Sequence, residues 1–227
     1  AKNPVAGLHF ERHLKAALEL EGRPWQTVPD YKKQVQVILD TNEAARALRA
    51  FVAKGKRLCA FDFETNMLKP DSPKAAIICC SVSDGETTLA YPWQGRAIDE
   101  TKAFIVSDIP KIASGMKFEY RWAWAQIGVE VVNWVWCTMT AAHCLDGKPG
   151  ITGLKFQSFV LIGQESYDDA IYPFLESKDD SATSVNRIIE EIDFRQLCEY
   201  CGLDSLLEVK VAEIQMQQMG IEGTPEW

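Results

Sequence analysis

The stretch 58-LCAFDFETN-66 places two carboxylates, Asp62 and Glu64, at the end of an apolar run that reads as a core strand. Side chains two residues apart on a strand share a face, so both acids project together. Burying two like charges side by side is costly unless something cationic compensates them. The chain must therefore bring positive charge to this strand end or leave the end in water, and few folds do the former.

The elements around the strand define a frame. With 227 residues, 47% of them hydrophobic, the chain can bury a full core as one main domain. Residues 1–33 read as an N-terminal extension, partly helical in HLKAALELEG. From there 34-QVQVIL-39 reads as a strand and 40-DTNEAARALRAFVAKGK-56 as a helix, with Asp40 or Thr41 as its cap. The strands 57–64, 75–83 and 87–93 follow, the last two joined by an Asp84-Gly85 turn. A helix near 98–107, a strand 111–115, a helix 117–128 and a strand near 130–136 lead into mostly helical sequence. This order predicts an α/β fold, a mixed sheet flanked by helices, spanning 34–210. Residues 211–227 read as a C-terminal helix and tail, and 205–220 carries an apolar stripe through Leu206, Val209 and Ile214.

Hard divalent cations take oxygen ligands and keep several waters, so further carboxylates from distant segments are expected to complete a shell begun by Asp62 and Glu64. Glu119, early in a helix, and Asp204, which shares a helical face with Tyr200 four residues before it, are the candidates. The order Asp62-x-Glu64, Lys117-Phe118-Glu119, Tyr200-x-x-x-Asp204 resembles the three motifs of the 3′-5′ exonucleases with four acidic residues, tyrosine subclass. That group includes the proofreading domain of family A DNA polymerases and the RNase D group. The segments 112–131, 136–147 and 153–163 are similar in layout to the proofreading domain, and Glu199 stands where the histidine subclass has His.

The resemblance implies an RNase H-like fold and hydrolysis of a phosphodiester at a 3′ end with two Mg²⁺ or Mn²⁺ ions. It implies that Asp62 bridges both ions, that Glu64 and Asp204 hold the first, and that Glu119 holds the second largely through water. Tyr200 then hydrogen-bonds the attacking water, Thr65 and Leu68 contact the terminal nucleotide, and Lys117 meets a phosphate. A single-stranded 3′ end of DNA is the expected substrate, with an RNase D-type activity on RNA or a weakened nucleic-acid-binding module as the alternatives. A DNA polymerase domain or replication protein is the expected partner. Two positions depart from the pattern: Glu119 replaces the usual Asp, and Gly115 stands where many relatives have Asn.

The formal charge of −8 argues against holding long nucleic acid by bulk electrostatics and leaves a focused metal site open. No apolar run is long enough to span a membrane, and seven cysteines at irregular spacing suit a reducing compartment. The expectation is a cytoplasmic protein encoded by a bacterium or phage. Cys198-x-x-Cys201 lacks the second pair that a zinc site needs. His9 and His13 read as helix surface, and Trp122, Trp124, Trp134 and Trp136 as core.

Overall fold

The computed structural model describes residues 10–11, 14–15, 17–19, 22, 27–55, 57–175, 184–188 and 192–221. His9, His13, much of the N-terminal extension and residues 222–227 of the tail lie outside that set. Six strands form one sheet: β1 (Val35–Val37), β2 (Cys59–Thr65), β3 (Ile77–Ser83), β4 (Thr88–Pro92), β5 (Lys111–Ala113) and β6 (Trp134–Cys137). Their spatial order is β1-β4-β3-β2-β5-β6. The meander β2-β3-β4 is antiparallel, while β1 joins β4, β5 joins β2 and β6 joins β5 in parallel. The mixed α/β sheet expected from the element order is thus present.

Seven helices accompany the sheet among the described residues: α1 (Thr41–Ala53), α2 (Arg96–Ile105), α3 (Lys117–Trp122), α4 (Thr138–Leu145), α5 (Leu154–Ile162), α6 (Tyr172–Leu175) and α7 (Phe194–Gln218). Asp40 caps α1 by accepting the Glu43 N–H at 2.8 Å, and Asp193 caps α7 through Arg195 N and Gln196 N. The hairpin between β3 and β4 turns at Gly85, with φ of 82°, while Asp84 Oδ1 accepts from Glu86 N and Thr87 N.

Strand alternation sorts the core into two sides. Cys59, Phe61 and Phe63 of β2 join Leu48, Phe51 and Phe104 in the layer under α1 and α2. On the other side, Ala60 meets Val209 and Ala212 of α7. Asp62 and Glu64 have the parity of Ala60, so they face α7. The adjacent Cys79 and Cys80 likewise split between the two layers. Helix α7 packs across β1 to β5, and the boundary drawn at residue 210 falls inside it.

Two local readings are corrected. Strand β6 starts at Trp134 instead of 130, because Asn133 adopts a left-handed φ of 59° that interrupts extended backbone. Trp124 is exposed instead of buried: after Trp122 the helix widens into a π turn over Ala123–Ile127. The wider turn shifts the phase, so Ala123 and Ile127 take the inward face. Trp122 is fully buried, and Trp134 stacks on Phe61 with ring centroids 5.4 Å apart.

Candidate active site

Strand β2 ends in an irregularity between Glu64 and Thr65, where pairing with β3 slips by one residue. Such bulges re-aim side chains at a strand end. Here Asp62, Glu64 and the thiol of Cys201 on α7 come together, with one ligand atom from each lying within 4.8 Å of the others. Cys201 Sγ contacts Asp62 Oδ2 at 3.5 Å, and Ser81 Oγ donates to the Cys201 carbonyl at 2.7 Å, which fixes α7 against the sheet.

Glu119 enters from a third element. It sits in the first turn of α3, after a turn in which Gly115 has φ of 89°, a conformation that an Asn would adopt only with strain. Its Oε2 is buried without a hydrogen-bond partner. Asp62, Glu64, Glu119, Thr65 and Leu68 line one cavity of about 290 Å³. Leu68 is exposed at its rim. The Thr65 hydroxyl donates to Met67 O at 2.8 Å, and the Thr65 carbonyl accepts from Asn186 Nδ2 at 2.9 Å. Lys117 is set apart from the acids, exposed along a neighbouring groove that shares Ser114 and Phe118 with the cavity.

Asp204 comes from α7, one turn after Tyr200. Two residues unmarked in the sequence reading hold it. Lys155 Nζ on α5 donates to both Asp204 oxygens at 3.0 and 2.7 Å and to the Tyr200 hydroxyl at 2.6 Å, and it lies 4.5 Å from the centroid of the Tyr200 ring. The Tyr167 hydroxyl donates to Asp204 Oδ1. Lys155 is the compensating cation that the acidic strand end called for. It stands in 153-GLKFQSFVLIG-163, where nothing but the convergence of helices marks it out.

One Lys does not neutralise the group. Burial, then the charge of Asp204, raises the Asp62 carboxyl to about 7. Burial and Asp62 push Glu64 and Glu119 well above the usual carboxylate range. Burial works to lower Lys155, but Asp204, Glu64 and Asp62 outweigh it and its ammonium is held above the ordinary value. Oxygens of Asp62 and Glu64, with the Cys201 thiol beside them, form a group that could hold a metal ion, and Glu119, with its orphaned buried oxygen, lines the same cavity as the two acids.

No family model and no curated protein matches the chain. Among solved structures, it is similar to Escherichia coli RNase D, an exoribonuclease involved in structured RNA processing, with a TM-score of 0.60 and 15% identity. That match covers 82% of this chain and 45% of RNase D, so the chain spans less than half of that protein. Brucella melitensis NrnC bound to pGG aligns with a TM-score of 0.53 and 19% identity over 82% of this chain and 81% of NrnC, and the same protein has been solved with bound Mg²⁺. The POL domain of Pol1 from M. smegmatis, in complex with a DNA primer-template and dNTP, aligns at 0.58 and 11% identity over 81% of this chain and 27% of that one. The chain therefore shares the fold of these structures, and the RNase H-like fold expected from the sequence is present.

Proposed function

We propose that the chain is a metal-dependent 3′-5′ exonuclease acting on the 3′ end of a single strand, DNA ahead of RNA. The observation that carries the reading is the meeting of Asp62, Glu64 and Glu119 in one cavity, with Asp204 close enough for its charge to raise Asp62. These four acids come from β2, α3 and α7, and surface carboxylates have no reason to converge in a buried cleft. Two divalent ions bound there would activate water as the nucleophile and stabilise the leaving 3′ oxygen.

The chain's own residues then divide the remaining work. Tyr200 accepts from Lys155, which leaves its O–H free to orient the attacking water. Lys155 keeps Tyr200 and Asp204 in register with each other. Leu68, an apolar side chain at the cavity rim, wedges against the terminal base, and Thr65 lies beneath it. Lys117, along the adjacent groove, meets a phosphate further from the end. No helix among the described residues is long and apolar enough to cross a membrane, and the seven free thiols suit the cytoplasm. A DNA polymerase domain or replication protein is the partner the proposal carries.

Likeness to RNase D and to NrnC bound to a dinucleotide supports a second reading, in which the strand is RNA. The test uses 3′-labelled single strands with Mg²⁺ or Mn²⁺. Stepwise shortening that is lost in Asp62→Asn is expected, and it is expected to slow when the terminal deoxynucleotide is replaced by a ribonucleotide. Faster removal of ribonucleotides transfers the assignment to RNA. Strand binding with no cleavage under either metal overturns the enzyme.

A further inference from the structure

The thiol of Cys201 has no role in the hydrolysis above, yet it stands against the acids of β2. Its Sγ lies 3.5 Å from Asp62 Oδ2, and one ligand atom each from Cys201, Asp62 and Glu64 fall within 4.8 Å of one another. In a tetrahedral zinc centre, with Zn–S of about 2.3 Å and Zn–O of about 2.1 Å, a bound sulfur and a bound oxygen are about 3.6 Å apart. The Cys201–Asp62 pair already has that spacing. The sulfur is also fixed: Cys201 is fully buried, its carbonyl accepts the Ser81 hydroxyl at 2.7 Å, and its Sγ meets the same hydroxyl at 3.4 Å.

A second observation calls for a cation at this place without reference to the thiol. Glu119 is 2% exposed, its Oε2 has no hydrogen-bond partner, and it lines the same cavity as Asp62 and Glu64. A carboxylate oxygen left in that condition is costly unless a proton or a cation meets it. Lys155 is engaged with Asp204 and Tyr200, and neither Asp62 nor Glu64 has an ion pair among the described residues.

Donor softness decides which ion gains from the sulfur. Mg²⁺ and Mn²⁺ suit oxygen ligands, whereas a thiolate draws Zn²⁺ and its softer relatives. We propose that Asp62, Glu64 and Cys201 form a mixed carboxylate and thiolate site that selects Zn²⁺ over Mg²⁺, and that Zn²⁺ held there switches hydrolysis off. The inference rests on the exonuclease reading and deepens it. On binding, the S–H bond breaks, its electron pair forms the metal–sulfur bond, and the proton passes to solvent, with no change of oxidation state. An ion held by the sulfur occupies the Asp62 and Glu64 oxygens that the hydrolytic ions need.

Cd²⁺ is the probe, because a thiolate bound to it gives an ultraviolet charge-transfer band. Metal-free, reduced protein in excess Mg²⁺ is titrated with Cd²⁺, and the expected result is a band at one equivalent that excess Zn²⁺ removes. Cys201→Ser and Asp62→Asn are both expected to lose the band and to bind Zn²⁺ about 10-fold or more weakly by calorimetry, with circular dichroism of the wild type. Should Cys201→Ser not fold, Cys201→Ala takes its place, and Asp62→Asn tests the mixed site independently. A band supplied by the half-buried Cys137 or the exposed Cys144 survives both substitutions and overturns the site. Cleavage that persists in Zn²⁺-loaded wild type overturns the off state. No band in a wild-type protein that binds Mn²⁺ and cleaves overturns the role of Cys201 and leaves the exonuclease reading standing. A wild-type protein that binds neither Cd²⁺ nor Mn²⁺ overturns both.

Discussion

Lys155 is the residue on which the resting site depends. Its ammonium satisfies Asp204 and Tyr200 together, and although burial works to lower it, the charges of Asp204, Glu64 and Asp62 hold it above its ordinary pKa. A group whose folded pKa is raised contributes stability below its unfolded pKa, so this contribution is present through neutral pH and is lost only as the pH climbs past the Lys range. Replacing Lys155 with Met, which keeps the stem, is expected to destabilise the metal-free protein by about 1–3 kcal/mol at pH 8, read as urea midpoints in EDTA. Mn²⁺ is expected to recover part of that loss, since it supplies positive charge to the same acids. Equal midpoints in EDTA would show that the pair is solvent-screened and without weight. The sequence offered no route to this residue. The motif acids stand at recognisable spacings, whereas Lys155 and Tyr167 become partners of Asp204 only when α5 and the segment before α6 close over α7.

Helix α7 sets the relative height of Tyr200 and Asp204 against β2, and one glycine governs how close it lies. A Cβ on Gly202 would stand 2.4 Å from Val35 Cγ1 and 3.1 Å from Ala90 Cβ. In an isolated helix Gly→Ala stabilises by about 1 kcal/mol, but here the neighbours are a stiff β-branched side chain and a strand. Gly202→Ala is expected to cost about 1–3 kcal/mol and to lower the cleavage rate as α7 lifts from Asp62. Adding Val35→Ala should return much of both, and thermal melts with rate measurements on the single and double variants check this. A stabilised single variant would refute the close approach. The same packing explains what the sequence hid. Residues 200–209 are buried without interruption, polar ones included, so no stripe marks that part of the helix, and the sequence reading saw a helical face under Tyr200 and Asp204 and a stripe over 205–220 without joining them into one helix. Elements with one wet face were legible: α1 from its cap and apolar spacing, and the β3–β4 hairpin from Asp84-Gly85. Strand β2 was legible as an apolar run, which the two acids interrupt at the point where the fold uses them.

Across the whole molecule the formal charge is −8, and three of the acids, Asp62, Glu64 and Glu119, line a single cavity. Asp62 is raised to about 7, and Glu64 and Glu119 are raised well above the usual range, all chiefly by burial. The sign follows from proton counting. Between the carboxylate range of the unfolded chain, about 4, and about 7, the folded protein keeps protons that the unfolded chain has released. Without metal, this contribution to stability is full at low pH and is lost as the pH rises through 7. Divalent ions compete for the same oxygens and displace those protons, so their binding strengthens over the same window. Melting curves in EDTA and in saturating Mn²⁺ are therefore expected to lie close together near pH 5.5 and to separate near pH 8. At about 100 times the dissociation constant the gain is about 2.7 kcal/mol, or about 5–10 °C for a chain of this size. Asp62→Asn removes one of the repelling charges, so its melting temperature in EDTA near pH 8 should exceed that of the wild type, while the increment from Mn²⁺ and the cleavage activity both disappear. A metal increment of equal size at both pH values would mean that the ion binds elsewhere, on carboxylates with ordinary titration, and the acidic cleft would lose its claim to be the centre of the molecule's chemistry.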